Sequence, residues 1–302
     1  MRVFVAGGSG VMGRSLVPRL VARGHQVTAT TTREGKLDAI RAQGAQGVVM
    51  DGLDEAAVGE AVASARPDVI VNEMTALSPT HVGKTSPRQP EYFETTNRLR
   101  GEGTNHLLAA AEACGSCHVV AQSAAIFNCT SEGGPIKTED DPLEVVGGEA
   151  VCRLENAVTK SGGAVLRYGA LYSADAIEGW VALVRKRMFP IVGGGTGRMS
   201  LVHVDDAAAA TVLAVERKAD GVFNIVDDEP APVSEWVPYL ARCVGAKPPR
   251  RVPTWLVRPL AGEMMVAMMT RGHGFTNAKA KRELGWTLRY PSWRDGFGAE
   301  FT

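Results

Sequence analysis

The sequence lacks the features that mark several common functions. It holds five cysteines in 302 residues, at 114, 117, 129, 152 and 243. An odd, scattered set in so long a chain excludes a disulfide framework. Neither sign of charge is in excess, with Lys+Arg 33 against Asp+Glu 33. A nucleic-acid binder needs cations to neutralise phosphates, so the balance argues against one. It also removes any general attraction to anionic membranes. No apolar run approaches the ~20 residues that span a bilayer. The start, Met1-Arg2-Val3-Phe4-Val5-Ala6, is too short an apolar stretch for an export signal. The expectation is a cytoplasmic, reduced protein with neither a nucleic-acid nor a membrane partner.

The remaining composition is 45% hydrophobic and 22% charged, which suits a globular chain with a sizeable core. The first half alternates strand-like and helix-like stretches. Residues 3–6 form a short apolar run, and residues 14–23 carry Leu16, Val17, Leu20 and Val21 at helical spacing. Strands are expected at 26–31, 47–50, 68–71, 118–122 and 164–168. Helices are expected at 36–43, 55–65, 91–114 and 148–161. This alternation implies right-handed βαβ units and a parallel sheet covered on both faces. Beyond about residue 172 the pattern loosens. A helix is expected at 180–187, glycine loops at 190–197, an Ala-rich helix at 205–217 and a strand at 222–226 returning to the sheet. Proline and glycine punctuate 228–262.

Gly7-Gly8-Ser9-Gly10-Val11-Met12-Gly13 follows the first strand and opens the first helix. In that setting the glycines permit a tight turn and admit a pyrophosphate close to the backbone. The helix N-terminus then offers free N–H groups to the phosphates. An acid at the end of the second strand would hold a ribose diol. Here that end reads Thr30-Thr31-Thr32-Arg33, with Lys36 nearby. Hydroxyls and a guanidinium suit a 2′-phosphate, so NADP (NADPH) is the expected cofactor, with Arg14 as a further cation. Position alone places Asp51 against the adenine and Met74 and Thr75 beside the ribose.

These residues resemble the extended short-chain dehydrogenase/reductases, the NAD-dependent epimerase/dehydratase family. The resemblance rests on the glycine loop and on Asn97-x-x-x-Gly101-x-Gly103-Thr104-Asn105-x-Leu107-Leu108-Ala109-Ala110, which is similar to the family's helix with a small insertion. It rests also on Gln122-Ser123-Ala124, on Leu166-Arg167-Tyr168-Gly169-Ala170-Leu171-Tyr172 and on Val202-His203-Val204-Asp205-Asp206-Ala207. Asn224, Glu235-Trp236 and Leu284-Gly285-Trp286 fit its C-terminal landmarks. The resemblance implies an α/β chain: a Rossmann-type doubly wound parallel sheet with a smaller C-terminal substrate lobe. The expected division is 1–172 with 200–227 returning to it, and 173–199 with 228–302 as the lobe. It further implies that Tyr168, Ala170 and Leu171 line the nicotinamide, that Ser123 is catalytic, and that a homodimer is possible through the helices of Asn97 and Glu155.

The family's Tyr-x-x-x-Lys is missing. Counting back from Glu155 puts Val151 in the Lys slot and Gly147 in the Tyr slot. A carbonyl that accepts hydride needs a proton for its alkoxide. Four readings stay open. Ser123 hydrogen-bonds the carbonyl; Tyr168, Tyr172 or His203 substitutes; the substrate's own phenol serves, as the resemblance to atypical aromatic-polyketide (angucycline) reductases of antibiotic biosynthesis suggests; or the site is silent and the chain is an NADP-binding regulator. The structural alternative for His203 is a buried residue holding the helix start at Asp205 and Asp206.

The leading expectation is an NADPH-dependent ketoreductase acting on a hydrophobic or aromatic carbonyl substrate, with Ser123, Tyr172 and His203 as catalytic candidates. A nucleotide-sugar epimerase or dehydratase is the alternative, kept open by Arg198, Arg250 and Arg251. Cys114-Gly115-Ser116-Cys117-His118 spells a haem-attachment pattern, but it falls in a helix-to-strand turn. No metal site is expected. The methionine-rich run 264–269 reads either as core or as a wall over a flat apolar substrate.

Overall fold

The structure, a computed structural model, describes residues 1–77, 91–115, 117–125, 134–141 and 148–302. The first half builds a sheet by alternation. β1 (Arg2–Ala6) leads to α1 (Val11–Ala22), β2 (Gln26–Thr31), α2 (Leu37–Ala42), β3 (Gln46–Val49), α3 (Glu55–Ala65) and β4 (Val69–Asn72). Next come α4 (Glu91–Arg98), a π-helical turn (Leu99–Gly103), α5 (Thr104–Ala113) and β5 (His118–Ala124). The small insertion expected near Gly101 is thus absorbed as one wide turn in an otherwise continuous helix, a device common near functional sites.

After β6 (Ile136–Lys137) come α6 (Glu149–Lys160), β7 (Ala164–Tyr168), β8 (Ala170–Tyr172), α7 (Glu178–Arg185), β9 (Ile191–Val192) and β10 (Arg198–Met199). β11 (Leu201–His203), α8 (Val204–Arg217), β12 (Gly221–Ile225), β13 (Ala231–Pro232) and α9 (Val233–Cys243) follow. The chain ends with β14 (Arg251–Val252), α10 (Thr254–Arg271), β15 (Gly274–Phe275), α11 (Ala278–Leu284) and α12 (Trp293–Phe301).

Seven strands form one parallel sheet in the order β12-β7-β5-β4-β1-β2-β3. The order reverses between β1 and β4, and in such sheets ligands bind at that switch point, outside the carboxyl ends of the strands. The strand expected at 222–226 does return to the sheet, as the edge strand β12. β11 does not: it pairs with β8 away from the main sheet.

Two apolar layers cover the sheet. One packs Leu16, Val17 and Leu20 of α1 and the alanines of α8 against Val3, Val5, Val71 and Val120. The other packs α3, α5 and α6 against Phe4, Ile70, Val119 and Val165. A further cluster gathers Tyr172, Trp236, Leu240, Met269, Trp293 and Phe297. Val266 and Met269 are buried there, and Met265 and Met268 pack against it, so these members of the methionine-rich run serve as core. Among the described residues no helix is long and apolar enough to cross a membrane.

Candidate active site

Crowding explains most of the glycine loop. Gly7 has φ +89°, a left-handed conformation, and a side chain there would strike the Glu73 carbonyl oxygen at 2.6 Å. A Cβ on Gly8 would lie 2.6 Å from that of Ala29, and one on Gly13 would overlap the Gly8 backbone. Strand-to-helix packing therefore requires these three. At Gly10, the N-cap of α1, an added Cβ meets only the Gly7 oxygen at 3.2 Å. That side of the loop is open to an incoming phosphate. The first turn of α1 carries no acid, and no side chain caps it. The N–H groups of Val11, Met12 and Gly13 are thus available to an anion. This cradle fits a dinucleotide pyrophosphate.

Neighbouring hydroxyls hold the loop in place. Gly7 N donates to Thr30 Oγ1 at 3.1 Å, Ser9 Oγ donates to Thr31 Oγ1 at 3.0 Å, and Arg33 N donates to Thr31 Oγ1 at 3.2 Å. Thr31 is buried, so its hydroxyl serves the loop; Thr32, Arg33 and Lys36 stand exposed at the end of β2. Arg14 is paired with Asp175. Asp51, exposed past β3, accepts from Leu53 N. Thr75 is exposed past β4, whereas Met74 is buried against Gly52 and Gly103 on the α5 side. The end of β4 is stapled on both sides. Asn72 Nδ2 donates to Thr104 Oγ1 at 3.0 Å, and Gln122 Nε2 donates to Met74 O at 3.1 Å.

Of the catalytic candidates, Tyr172 and His203 lie ring against ring, and Ser123 is engaged in a network of its own. Ser123 is buried and donates from Oγ to Glu155 Oε1 at 2.6 Å. Arg167 holds the same carboxylate through Nε at 3.0 Å and Nη2 at 2.7 Å. The single hydroxyl hydrogen of Ser123 is therefore committed inside a sealed ion-pair network. Val151, in the Lys slot, is buried on the same helix; Gly147, in the Tyr slot, lies outside the described residues. Tyr168 is buried with its hydroxyl engaged by Glu73 and Thr211. Ala170 is buried on β8 and Leu171 is half-buried.

Tyr172 is enclosed in the core, and its hydroxyl has no hydrogen-bond partner among the described residues. Its ring is fully buried between His203 and Phe297, with centroids at 5.2 and 4.9 Å. Burial, with Asp227 and Asp206 nearby, pushes its phenol far above the usual range. His203 is engaged at both nitrogens. Nδ1 accepts from Asp205 N at 3.1 Å and caps α8, while Nε2 lies 3.0 Å from Glu300 Oε1. The two contacts together require the neutral ring with its proton on Nε2. His203→Ala should therefore cost about 1 kcal/mol of stability, the worth of an N-cap. Urea unfolding checks this. A large fall in kcat with unchanged stability would return His203 to the chemistry.

Two buried acids escape sequence reading. Glu73, just past β4, is pushed up to about 8 by burial, and Asp227, just past β12, is likewise pushed up to about 8 by burial. The one available signal for Glu73 was an acid directly at the end of the apolar strand Val69-Ile70-Val71, in Asn72-Glu73-Met74. No group of His, Cys, Asp or Glu among the described residues could hold a metal. Cys114 and Cys117 are half-buried thiols, and burial raises that of Cys117.

The profile of the NAD dependent epimerase/dehydratase family matches residues 3–226. The chain belongs to that family. Within it, the chain is 45% identical over 315 residues to a 3-diazoavenalumate denitrifying reductase of a Streptomyces species, covering 99% of this chain and 100% of that one. It is 27% identical to a 4-hydroxy-2-methyl-3-oxo-4-farnesyl-3,4-dihydroquinoline-1-oxide ketoreductase of Stigmatella aurantiaca, covering 96% and 92%. A human epimerase family protein solved with NADPH superimposes with a TM-score of 0.79 at 19% identity, covering 99% of each chain. A Thermus thermophilus UDP-glucose 4-epimerase solved with NAD gives 0.76 at 22%, covering 100% of this chain and 98% of that one.

Proposed function

We propose that this chain is an NADPH-dependent reductase that replaces an aromatic diazo group by hydrogen, with release of dinitrogen. The absence of the Tyr-x-x-x-Lys pair from the sequence carries the reading. Hydride addition to a ketone leaves an alkoxide, which must be protonated. Reduction of an arenediazonium leaves none: hydride brings an electron pair, a C–H bond replaces the C–N bond, and N2 departs with the C–N electrons. Atoms and charge balance without an acid. Val151 and Gly147 in place of Lys and Tyr, with Ser123 tied to Glu155, suit the second reaction. The 45% identical relative, named for that reaction, supports the same reading.

When bound, NADPH supplies the hydride. The N–H groups of Val11, Met12 and Gly13 would hold its pyrophosphate, and Thr32, Arg33 and Lys36 its 2′-phosphate. Arg33→Ala should therefore raise KM for NADPH by about tenfold, the worth of one charge-assisted contact, and change KM for NADH little. Equal effects on both would remove Arg33 from the phosphate site.

A second reading, ketone reduction with the substrate's own phenol supplying the proton, is supported by the relative named as a ketoreductase. The nucleotide-sugar reading rests on Arg198, whose Nη1 donates to the Pro230 carbonyl, and on Arg250 and Arg251. One assay separates these. The enzyme is given NADPH deuterated at the transferable position with a hydroxyaryl diazonium acid, and separately with a hydroxyaryl ketone. Deuterium on the ring carbon with N2 release is expected. Deuterium on a carbinol alone would establish the second reading, and tight NADPH binding with no turnover would indicate a regulator. A homodimer through α4 and α6 is also proposed; a polar groove of about 490 Å³ lined by Asn97, Arg98 and Arg153 lies on that face.

A further inference from the structure

Glu73, Tyr168 and Thr211 form a buried chain of contacts whose hydrogens can be counted. Tyr168 Oη lies 2.7 Å from Glu73 Oε1 and 2.7 Å from Thr211 Oγ1. Thr211 Oγ1 donates to Ala207 O at 2.8 Å, one helical turn back in α8. Three contacts at hydrogen-bond distance need three hydrogens. Tyr168 brings one and Thr211 brings one, and the Ala207 carbonyl brings none. The third can come only from the carboxyl of Glu73. With Glu73 ionised, one of the three contacts would set lone pair against lone pair inside the core.

The surroundings agree with that count. Glu73 is 4% exposed, and its second oxygen has no partner. Among the described residues, Tyr168 of β7 is the one titratable group acting on it. Thr211 of α8 adds an uncharged hydroxyl, and among the described residues no cation compensates a charge there. Burial favours the neutral acid.

The location gives the count a consequence. The Glu73 carbonyl is the atom against which Gly7 packs. Ala125 N donates to Tyr168 O at 2.8 Å, and Ala124 pairs with Tyr168, immediately beyond Ser123. The chain thus joins the strand end beneath the glycine loop to the strand end beside Ser123.

We propose that Glu73 is held as a neutral carboxylic acid and acts as a positioning residue, its proton closing the chain that fixes the ends of β4 and β7 beneath the cofactor. The consequence for ligand rests on the NADPH reading; the protonation does not. Ionisation at alkaline pH opens the chain and loosens the floor of the cleft. Glutamine supplies an N–H to Tyr168 at any pH, so Glu73→Gln keeps the chain closed and removes its titration.

Two measurements test this. In the free protein, the infrared spectrum at pH 7 should show a protonated carboxyl band that disappears as pH rises through about 8 and is missing from Glu73→Gln. The difference between the two proteins isolates Glu73 from Asp227, which is present in both. The second measurement is the dissociation constant for NADPH by protein fluorescence, which needs no turnover. In the wild type it should rise about tenfold between pH 7 and pH 9.5, the loss of one net hydrogen bond, and in Glu73→Gln it should stay flat. No carboxyl band assignable to Glu73 at pH 7 would overturn the protonation. The same alkaline weakening in Glu73→Gln would overturn the positioning role while leaving the NADPH reading standing. No NADPH binding at any pH would overturn the NADPH reading and, with it, the positioning role, and leave the protonation to the infrared result.

Discussion

Gly13→Ala should abolish useful cofactor binding, weakening the NADPH dissociation constant by at least about 100-fold. The added methyl has nowhere to go. It would overlap the carbonyl group of Gly8 and lie 2.5 Å from the Gly8 Cα, all backbone atoms that no side-chain rotation can clear. Either α1 moves away from β1 or the Gly8–Gly10 turn moves outward. The first opens the layer formed by Leu16, Val17 and Leu20, and overpacking of this kind costs about 1–3 kcal/mol. The second displaces the N–H groups that would face the pyrophosphate. Binding suffers more than stability, because the loop is the softer element. The control is Gly59→Ala, the same chemical change within α3, where a Cβ meets nothing within 4 Å. It should stabilise the protein by about 0.5–1 kcal/mol, since alanine loses less backbone entropy in a helix. Fluorescence titration with NADPH and thermal unfolding of both variants give the comparison. Retained affinity in Gly13→Ala would mean that the phosphates do not bind at this loop.

The same glycine loop shows why the nucleotide end of the fold was legible. Its determinants are local: a strand, a turn that only glycine fits, and a helix N-terminus, all within the first 22 residues. The strand-helix alternation that follows is also local, being set by hydrophobic period. The later elements were harder. α9 and much of α10 fall in the stretch 228–262 that proline and glycine punctuate, where no helix was expected, and they contain Pro238 and Pro259, with Gly262 at φ 84° kinking α10. Tertiary burial outweighs those breakers in α9, where Trp236, Val237 and Leu240 are fully enclosed. The chemistry at the other end was least legible, because its partners are distant in sequence. Nothing near residue 73 announces that its carboxyl will meet a tyrosine 95 positions later. The Val-His-Val-Asp-Asp pattern did suggest a buried His203 holding the helix start at Asp205, but not its second contact, to Glu300, 97 residues away. Sequence spacing identified which residues are unusual; only the fold shows whether each is free to react.

Breaking the Glu155–Arg167 pair should produce the largest stability loss of any single change at the site. Both side chains are almost wholly buried, 2.7 Å apart at their shortest contact, and joined through three guanidinium hydrogen bonds. Glu155→Leu leaves a guanidinium in the core with no counter-charge, at a cost of about 3–5 kcal/mol. For a chain of this size the melting temperature should fall by about 5–8 °C. Arg167 Nη1 already lacks a partner, so nothing is in place to share the burden. The double variant Glu155→Leu/Arg167→Met should recover most of the loss, because the desolvation penalty of both ions disappears with them. Ser123 makes the cycle informative about function as well. In both variants its hydroxyl loses the Glu155 acceptor and becomes free to meet a ligand. A stable double variant that gains ketone reduction would mean that the network restrains Ser123 from carbonyl chemistry. A stable double variant with unchanged diazo reduction would mean that the network serves only to dock α6 on β5 and β7. That docking buries Leu154 and Val158 of α6 against the sheet.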